Sequence, residues 1–146
     1  MSLLNKFNLR VYGILEVKSR ILVTDEIKGD VKMTKFPGGG LEFGEGLKDA
    51  VIREYKEELN IEIVVEELIY INDFLQVSSF DKKDQLLCVY YKVKQVCNTA
   101  IETVNFPFEK LNIDQQCFRW LNRDELFEDK FTFPIDKVIA EKLRNE

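Results

Sequence analysis

The chain has 146 residues, 45% hydrophobic and 32% charged, the balance of one globular domain, 1–146, with a core of ordinary size. Acidic residues outnumber basic ones by 26 to 21, and the net charge of −5 argues against coating a nucleic acid backbone. A small anionic substrate stays open if a metal ion bridges it to the protein.

Histidine is absent, which excludes Ser-His-Asp and Cys-His catalysis and every zinc site built on imidazole. A general base must then be a carboxylate, a lysine, a tyrosine or a metal-bound hydroxide. Cys88, Cys97 and Cys117 are odd in number and form no CxxC pair, so a disulfide framework or zinc knuckle is not expected. Cytoplasmic localisation fits this cysteine usage. No apolar run approaches a membrane span, and "MSLLNKFNLR" has neither the long apolar stretch nor the cleavage site of a signal peptide.

In chain order, "NLRVYGILEV" (8–17) alternates Leu9, Val11, Gly13, Leu15 and Val17 against other residues and predicts a strand. "RILVTDE" (20–26) is its partner across a short "KS" connection, and Gly29-Asp30 marks a turn. "TKF" leads into "PGGG", and the pattern from Leu47 to Leu59 is helical. The β-branched and aromatic residues of 61–80 predict one long or broken strand, "DKKD" a turn, and 85–96 the next strand. Residues 117–127 read as a strand into a short helix, with Asn122 or Asp124 as its cap. The last element, 133–145, is an amphipathic helix with Pro134 in its first turn and Ile135, Val138, Ile139 and Leu143 as its apolar stripe. There is no repeat, low-complexity tract or linker. Strands, helix, strands, helix predict a mixed sheet with helices packed against it.

The first helix is unusual in where it puts its charge. Leu47, Val51, Tyr55 and Leu59 form the apolar stripe, and Glu54, Glu57 and Glu58 are neighbours at i, i+3 and i+4. On the helical wheel Glu54 and Glu58 fall beside Leu47 and Val51, while Asp49, Arg53 and Lys56 take the side opposite the core. Like charges at this spacing repel, and setting them at the core edge adds desolvation cost. A hard divalent cation would offset both, and magnesium is suited by a few carboxylates plus substrate phosphate.

Just before the helix stands Pro37-Gly38-Gly39-Gly40, followed by Gly44 and Gly46. Glycine allows left-handed backbone and close approach to a ligand. The spacing is neither GxGxxG nor a Walker A loop, so the phosphate cradles of those motifs do not apply.

Together these residues resemble the Nudix (MutT-like) hydrolase family, whose signature is G-x5-E-x7-R-E-U-x-E-E-x-G-U with U apolar. Here it reads Gly39, Glu45, then Arg53-Glu54-Tyr55-Lys56-Glu57-Glu58-Leu59-Asn60-Ile61. Every charged position is present, and the flanking "FPGG" and "GE" are also family-like. Tyr55 stands where an aliphatic residue is usual. Asn60 replaces the closing glycine, and asparagine is the next best residue for a left-handed helix end.

The resemblance implies an α/β Nudix-type α/β/α sandwich, with the signature loop and helix on one face and a C-terminal helix. It implies a metal-dependent hydrolase that cleaves the pyrophosphate bond of a nucleoside diphosphate linked to another group, such as a nucleoside triphosphate, ADP-ribose or a nucleotide sugar. Mg2+ or Mn2+ would be held by Glu54, Glu57 and Glu58. Glu54, Arg53 and Glu57 would be the catalytic set, with Glu54 orienting or deprotonating the water and Arg53 fixing carboxylates by ion pairing. Gly38, Gly39 and Glu45 would shape the phosphate-facing loop. A further base outside the helix is common in this family, and Asp81, Asp84, Glu102 and Glu109 are its candidates. Tyr12, Phe74, Tyr90, Tyr91, Phe131 and Phe133 are candidates for stacking on a base, although such aromatics are more often core. The alternatives are a catalytically weak nucleotide-binding or regulatory module, and an RNA-cap type pyrophosphohydrolase. Lys28, Lys32 and Lys35 speak for the latter and the acidic net charge against it. The partner implied is a small nucleotide rather than a nucleic acid or membrane, and homodimer formation is left open.

Overall fold

The computed structural model describes residues 3–146. Seven strands and two helices follow in the order β1 (Lys6–Val17), β2 (Arg20–Lys28), β3 (Val31–Lys35), β4 (Gly38–Gly40), α1 (Leu47–Leu59), β5 (Ile63–Ile71), β6 (Asp84–Gln95), β7 (Gln116–Asn122) and α2 (Pro134–Arg144). The path β3-β2-β1-β6-β5 forms the sheet, with β4 added to β1 and β7 to β2. β1 runs parallel to β6, from Lys6 opposite Asp84 to Leu15 opposite Val93, and antiparallel to β4, where Val11 faces Gly39.

β1 lies at the centre, so both of its faces are buried. Tyr12 and Ile14 join Tyr90, Phe36 and the α2 residues Ile135, Ile139 and Leu143 on one side. Val11 and Leu15 join Val89, Val93 and the α1 residues Ala50, Val51 and Tyr55 on the other. Two cores on opposite faces of one mixed sheet make the expected α/β/α sandwich.

The two-residue turn between β1 and β2 holds Lys18 and Ser19 both left-handed, at φ 52° and 63°. That is the conformation favoured in two-residue hairpins, here without the usual glycine. Asp25 on β2 is fully buried and accepts from Arg119 Nε at 2.6 Å, Thr34 Oγ1 at 2.6 Å and the Phe108 amide at 3.3 Å. Those bonds tie β3, β7 and the loop before β7 onto β2.

Three expectations change. The strand expected over 61–80 ends at Ile71, because the Asn72 side chain takes over the ladder. Its Oδ1 accepts from the Cys88 amide at 2.8 Å and its Nδ2 donates to Leu86 O at 3.2 Å, so residues 72–83 leave as a loop. The short helix after β7 is one 3-10 turn, Arg123–Glu125; Asn122 sits at its cap but makes no capping bond and donates instead to the Glu125 carboxylate. The third concerns α1. Ala50 joins its buried stripe while Leu47 and Leu59 are only half-buried, and Arg53 lies folded against the loop rather than out in solvent. α2 keeps its stripe through Ile135, Ile139 and Leu143, with Val138 half-buried.

Candidate active site

α1 begins at Gly46, whose amide donates to the Asp49 carboxylate at 3.1 Å. It ends at Asn60, left-handed at φ 53°, whose amide donates to Lys56 O at 3.0 Å. Asparagine therefore fills the closing-glycine position without breaking the turn. Tyr55, at the usual aliphatic position, is fully buried, and its hydroxyl donates to Gly13 O at 2.8 Å. A Cβ on residue 13 would sit 2.7 Å from the Tyr55 ring, so the glycine on β1 makes room for the larger side chain. This lock sets α1 against the sheet.

β4 is a strand made of three glycines, and two of them have a reason to be glycine. Gly38 has φ 153°, and a Cβ there would lie 2.7 Å from Tyr12 Cα. At Gly39 a Cβ would lie 2.7 Å from Glu54 Cδ. The Glu54 carboxylate thus packs directly on bare backbone.

Arg53 is the organiser of the helix face. Its Nε and Nη2 hold the two oxygens of Glu45 at 2.9 and 2.8 Å, a bidentate pair. Nη2 also donates to Gly40 O at 3.0 Å, and Nη1 reaches Glu54 at 3.1 Å and Glu57 at 3.2 Å. The Arg53 guanidinium holds the Glu45 carboxyl below the usual carboxylate range, helped by the Glu42 amide, which donates to the same carboxylate. One side chain therefore ties loop, glycine strand and two of the three signature glutamates together.

Glu58 stands apart from that network. It is half-buried, its Oε2 is buried without a hydrogen-bond partner, and burial pushes its carboxyl up to about 7. The Lys35 charge and a hydrogen bond from the Gln116 side chain work against that rise, and the charges of Glu54 and Glu26 add to it. Glu57 is the outermost of the three, its side chain 59% exposed.

Among the described residues no group of three or more carboxylates, thiols or imidazoles is gathered closely enough to hold a metal ion. The residues nonetheless fit a hard divalent cation. The donors are all oxygen, one buried Glu58 oxygen lacks a partner, and the Glu54 carboxylate lies against a glycine backbone.

On the α2 side of the sheet, between β1 and β6 on one side and β2 and β3 on the other, lies a cavity of about 260 Å³. Tyr12 and Tyr90, core residues of the α2 side, line it with Phe133, whereas the buried Tyr91 and Phe131 do not and Phe74 is exposed. Tyr12 stacks on Tyr90, whose hydroxyl donates to Asp136 at 2.6 Å. Burial pushes the Asp136 carboxyl up to about 7. The candidate bases separate. Asp81 and Asp84 line the cavity and both pair with Lys6, at 3.2 and 3.3 Å, while Glu102 is exposed and Glu109 half-buried on the loop before β7. Of the three lysines near the turn, Lys28 and Lys35 line the same cavity and Lys32 does not. Lys35 is buried and pairs with Glu26 at 3.0 Å, while Lys28 lies over Phe80 and Lys32 over Phe108.

Sequence reasoning missed Arg10, Glu26 and Asp136. The alternation on β1 singles out Leu9, Val11 and Leu15, and nothing in it marks Arg10 as lining a cavity.

The NUDIX domain profile matches residues 6–142. No curated protein matches the chain. Among solved structures it is similar to the MutT protein of Methanosarcina mazei, with 16% identity, TM-score 0.71, and 97% of this chain and 95% of that one covered. It is similar to the MutT protein of Staphylococcus aureus, with 23% identity, TM-score 0.65 and coverage of 97% and 98%. An ADP-ribose pyrophosphatase of Streptococcus suis aligns at 17% identity, TM-score 0.57 and coverage of 93% and 86%. At these identities the likeness is one of fold, and the domain match over nearly the whole chain carries the assignment. The chain belongs to the Nudix hydrolase family.

Proposed function

We propose that the protein hydrolyses the pyrophosphate bond of a nucleoside diphosphate linked to another group, with a divalent cation held by Glu54, Glu57 and Glu58. The observation that carries this reading is the α1 face itself. A glutamate is pressed on a glycine backbone, a second has a buried oxygen without a partner, and an arginine holds the first in place.

When bound, magnesium or manganese would neutralise charge on the phosphate oxygens and acidify a water. The protein's own part is mostly placement, as phosphoryl chemistry requires. Gly39 lets the Glu54 carboxylate pack on the backbone, and Gly38 lets the loop pass close against Tyr12. Arg53 fixes the Glu54 carboxylate, and Glu45 fixes Arg53. Glu54 is then the residue that orients the attacking water and receives its proton. Arg53 and Glu45 are positioning residues, and Glu57, the most exposed, is the ligand with the smallest expected effect. The cavity receives the nucleoside end, with Tyr12, Tyr90 and Phe133 as its aromatic walls.

The test is hydrolysis of a nucleotide panel with magnesium, read by chromatography of the products, on the wild type and Glu54→Gln. The panel holds nucleoside triphosphates, 8-oxo-dGTP, ADP-ribose, nucleotide sugars and dinucleoside polyphosphates. Cleavage of one member, abolished by metal removal and reduced about 10³-fold in Glu54→Gln, is the expected result. Cleavage that survives chelation, or an unchanged rate in Glu54→Gln, would contradict it.

A further inference from the structure

Arg10 is a partly buried cation without an acidic partner. Arg53, Arg119, Arg123 and Arg144 each pair with a carboxylate, and Arg20 is exposed over Trp120. Among the described residues Arg10 forms no ion pair. Its Nε donates to the Tyr12 hydroxyl at 2.7 Å, and its guanidinium lies 5.9 Å from the centre of that ring. A guanidinium stays charged at any working pH, and withdrawing it from water without an anion is costly.

Its place in the fold suggests what relieves that cost. Arg10 pairs with Gly40 across β1 and β4, and its Nη1 would lie 3.8 Å from a Cβ at residue 40. It therefore stands where the glycine strand meets the cavity, close enough to α1 to feel the charge of Glu54. The Tyr12 hydroxyl occupies Nε and leaves the Nη groups for another acceptor. Lys35, the other buried cation of the cavity, lies over the same Tyr12 ring at 5.3 Å but is already committed to Glu26.

We propose that Arg10 is a substrate-contacting, specificity-determining residue whose guanidinium receives a phosphate oxygen at the junction between the cavity and the glycine strand. This rests on the hydrolase reading for the identity of the substrate, though not for the contact itself. A planar fork with free Nη donors suits a phosphate. The consequence is a demand on substrates: the group entering the cavity must carry a phosphate within reach of Arg10.

The test is pyrophosphate binding in EDTA, followed by the side-chain Nε–H signals of the 15N-labelled protein. Without metal or turnover, the outcome does not depend on the hydrolase reading. In the wild type the Arg10 signal shifts and saturates. Arg10→Gln weakens binding about tenfold or more, Arg10→Lys falls between, and Arg20→Gln matches the wild type. Near-ultraviolet circular dichroism of the stacked Tyr12 and Tyr90 checks that the variants are folded; if Arg10→Gln is not, Arg10→Lys and the wild-type shift decide. Wild-type affinity in folded Arg10→Gln or Arg10→Lys, or an Arg10 signal indifferent to pyrophosphate, overturns the proposal. Hydrolysis failing while this binding holds would sink the metal reading alone.

Discussion

Two guanidiniums approach Gly40, and they differ in almost everything else. Arg53 donates to the Gly40 carbonyl and meets Glu45, Glu54 and Glu57, while Arg10 sits beside the Gly40 α-carbon with only a tyrosine hydroxyl. The first is built for holding protein groups still. The second has its protein partners nearly used up and its donors left over. The difference separates scaffold from binding surface within a few ångströms: charge that is already balanced organises, and charge that is not balanced waits for a ligand.

The most damaging way to break that contrast is Arg53→Lys. A lysine keeps the charge but loses the fork that grips Glu45 and reaches Glu54 at once. Misplacing Glu54 should cost about 10²-fold in kcat, with KM changed far less. A kcat within threefold of wild type would mean that Arg53 does not position the carboxylates.

Gly39→Ala tests the same placement from the other side. The new Cβ meets the far end of a flexible glutamate, so stability should fall by less than about 1 kcal/mol while activity falls about tenfold or more. Thermal unfolding beside steady-state rates separates the two. A large loss of stability, or full activity, would show that the close packing of Glu54 on residue 39 is incidental.

Asp136 sharpens the cavity half of the comparison. Its folded carboxyl titrates near 7 and its unfolded one near the ordinary value of about 4, so the folded state binds the proton more tightly. That stabilisation is complete below about pH 4 and is lost as pH rises through 7, by at most about 1.4 kcal/mol per pH unit. Urea unfolding across this range should show the falling trend in the wild type and a flatter one in Asp136→Asn. Equal slopes would remove Asp136 from the account. Tyr90, Cys88, Tyr12, Arg10 and Lys35 are the groups around it, and the hydroxyl of Tyr90 and the charges of Lys35 and Arg10 already oppose the rise.

The smallest effect belongs to Tyr55→Phe. Losing the hydroxyl leaves the Gly13 carbonyl without its side-chain donor and should cost about 1 kcal/mol in stability, with catalysis near wild type. A loss of activity larger than the loss of stability would give this lock a role beyond holding α1.

Much of this arrangement was written in local pattern. The α1 period put Glu54 and Glu58 at the edge of the core, and both are half-buried there. Asn60 fell where a left-handed residue was needed. What escaped has a common cause, because tertiary pairing decided it. β4 is three glycines with no strand propensity of their own, held by the register against Arg10, Val11 and Tyr12. β3 carries two lysines and a threonine and becomes a strand through β2. The β5 end was invisible because Asn72 imitates a ladder with its side chain. The wheel set Arg53 opposite the core, and its pairing with carboxylates was expected from the signature alone; the loop folding back over it was legible in neither. Arg10, Lys35 and Asp136 come from β1, β3 and α2, and only the topology brings them to one cavity.

The central claim, that the α1 face holds a divalent cation, is tested most directly by titrating the protein with Mn2+ and following free manganese by electron paramagnetic resonance. The account predicts saturable binding, weakened about tenfold or more by Glu54→Gln and by Glu58→Gln and unchanged by Glu66→Gln on the exposed part of β5. Binding equal in all four proteins would place the cation elsewhere and contradict the account.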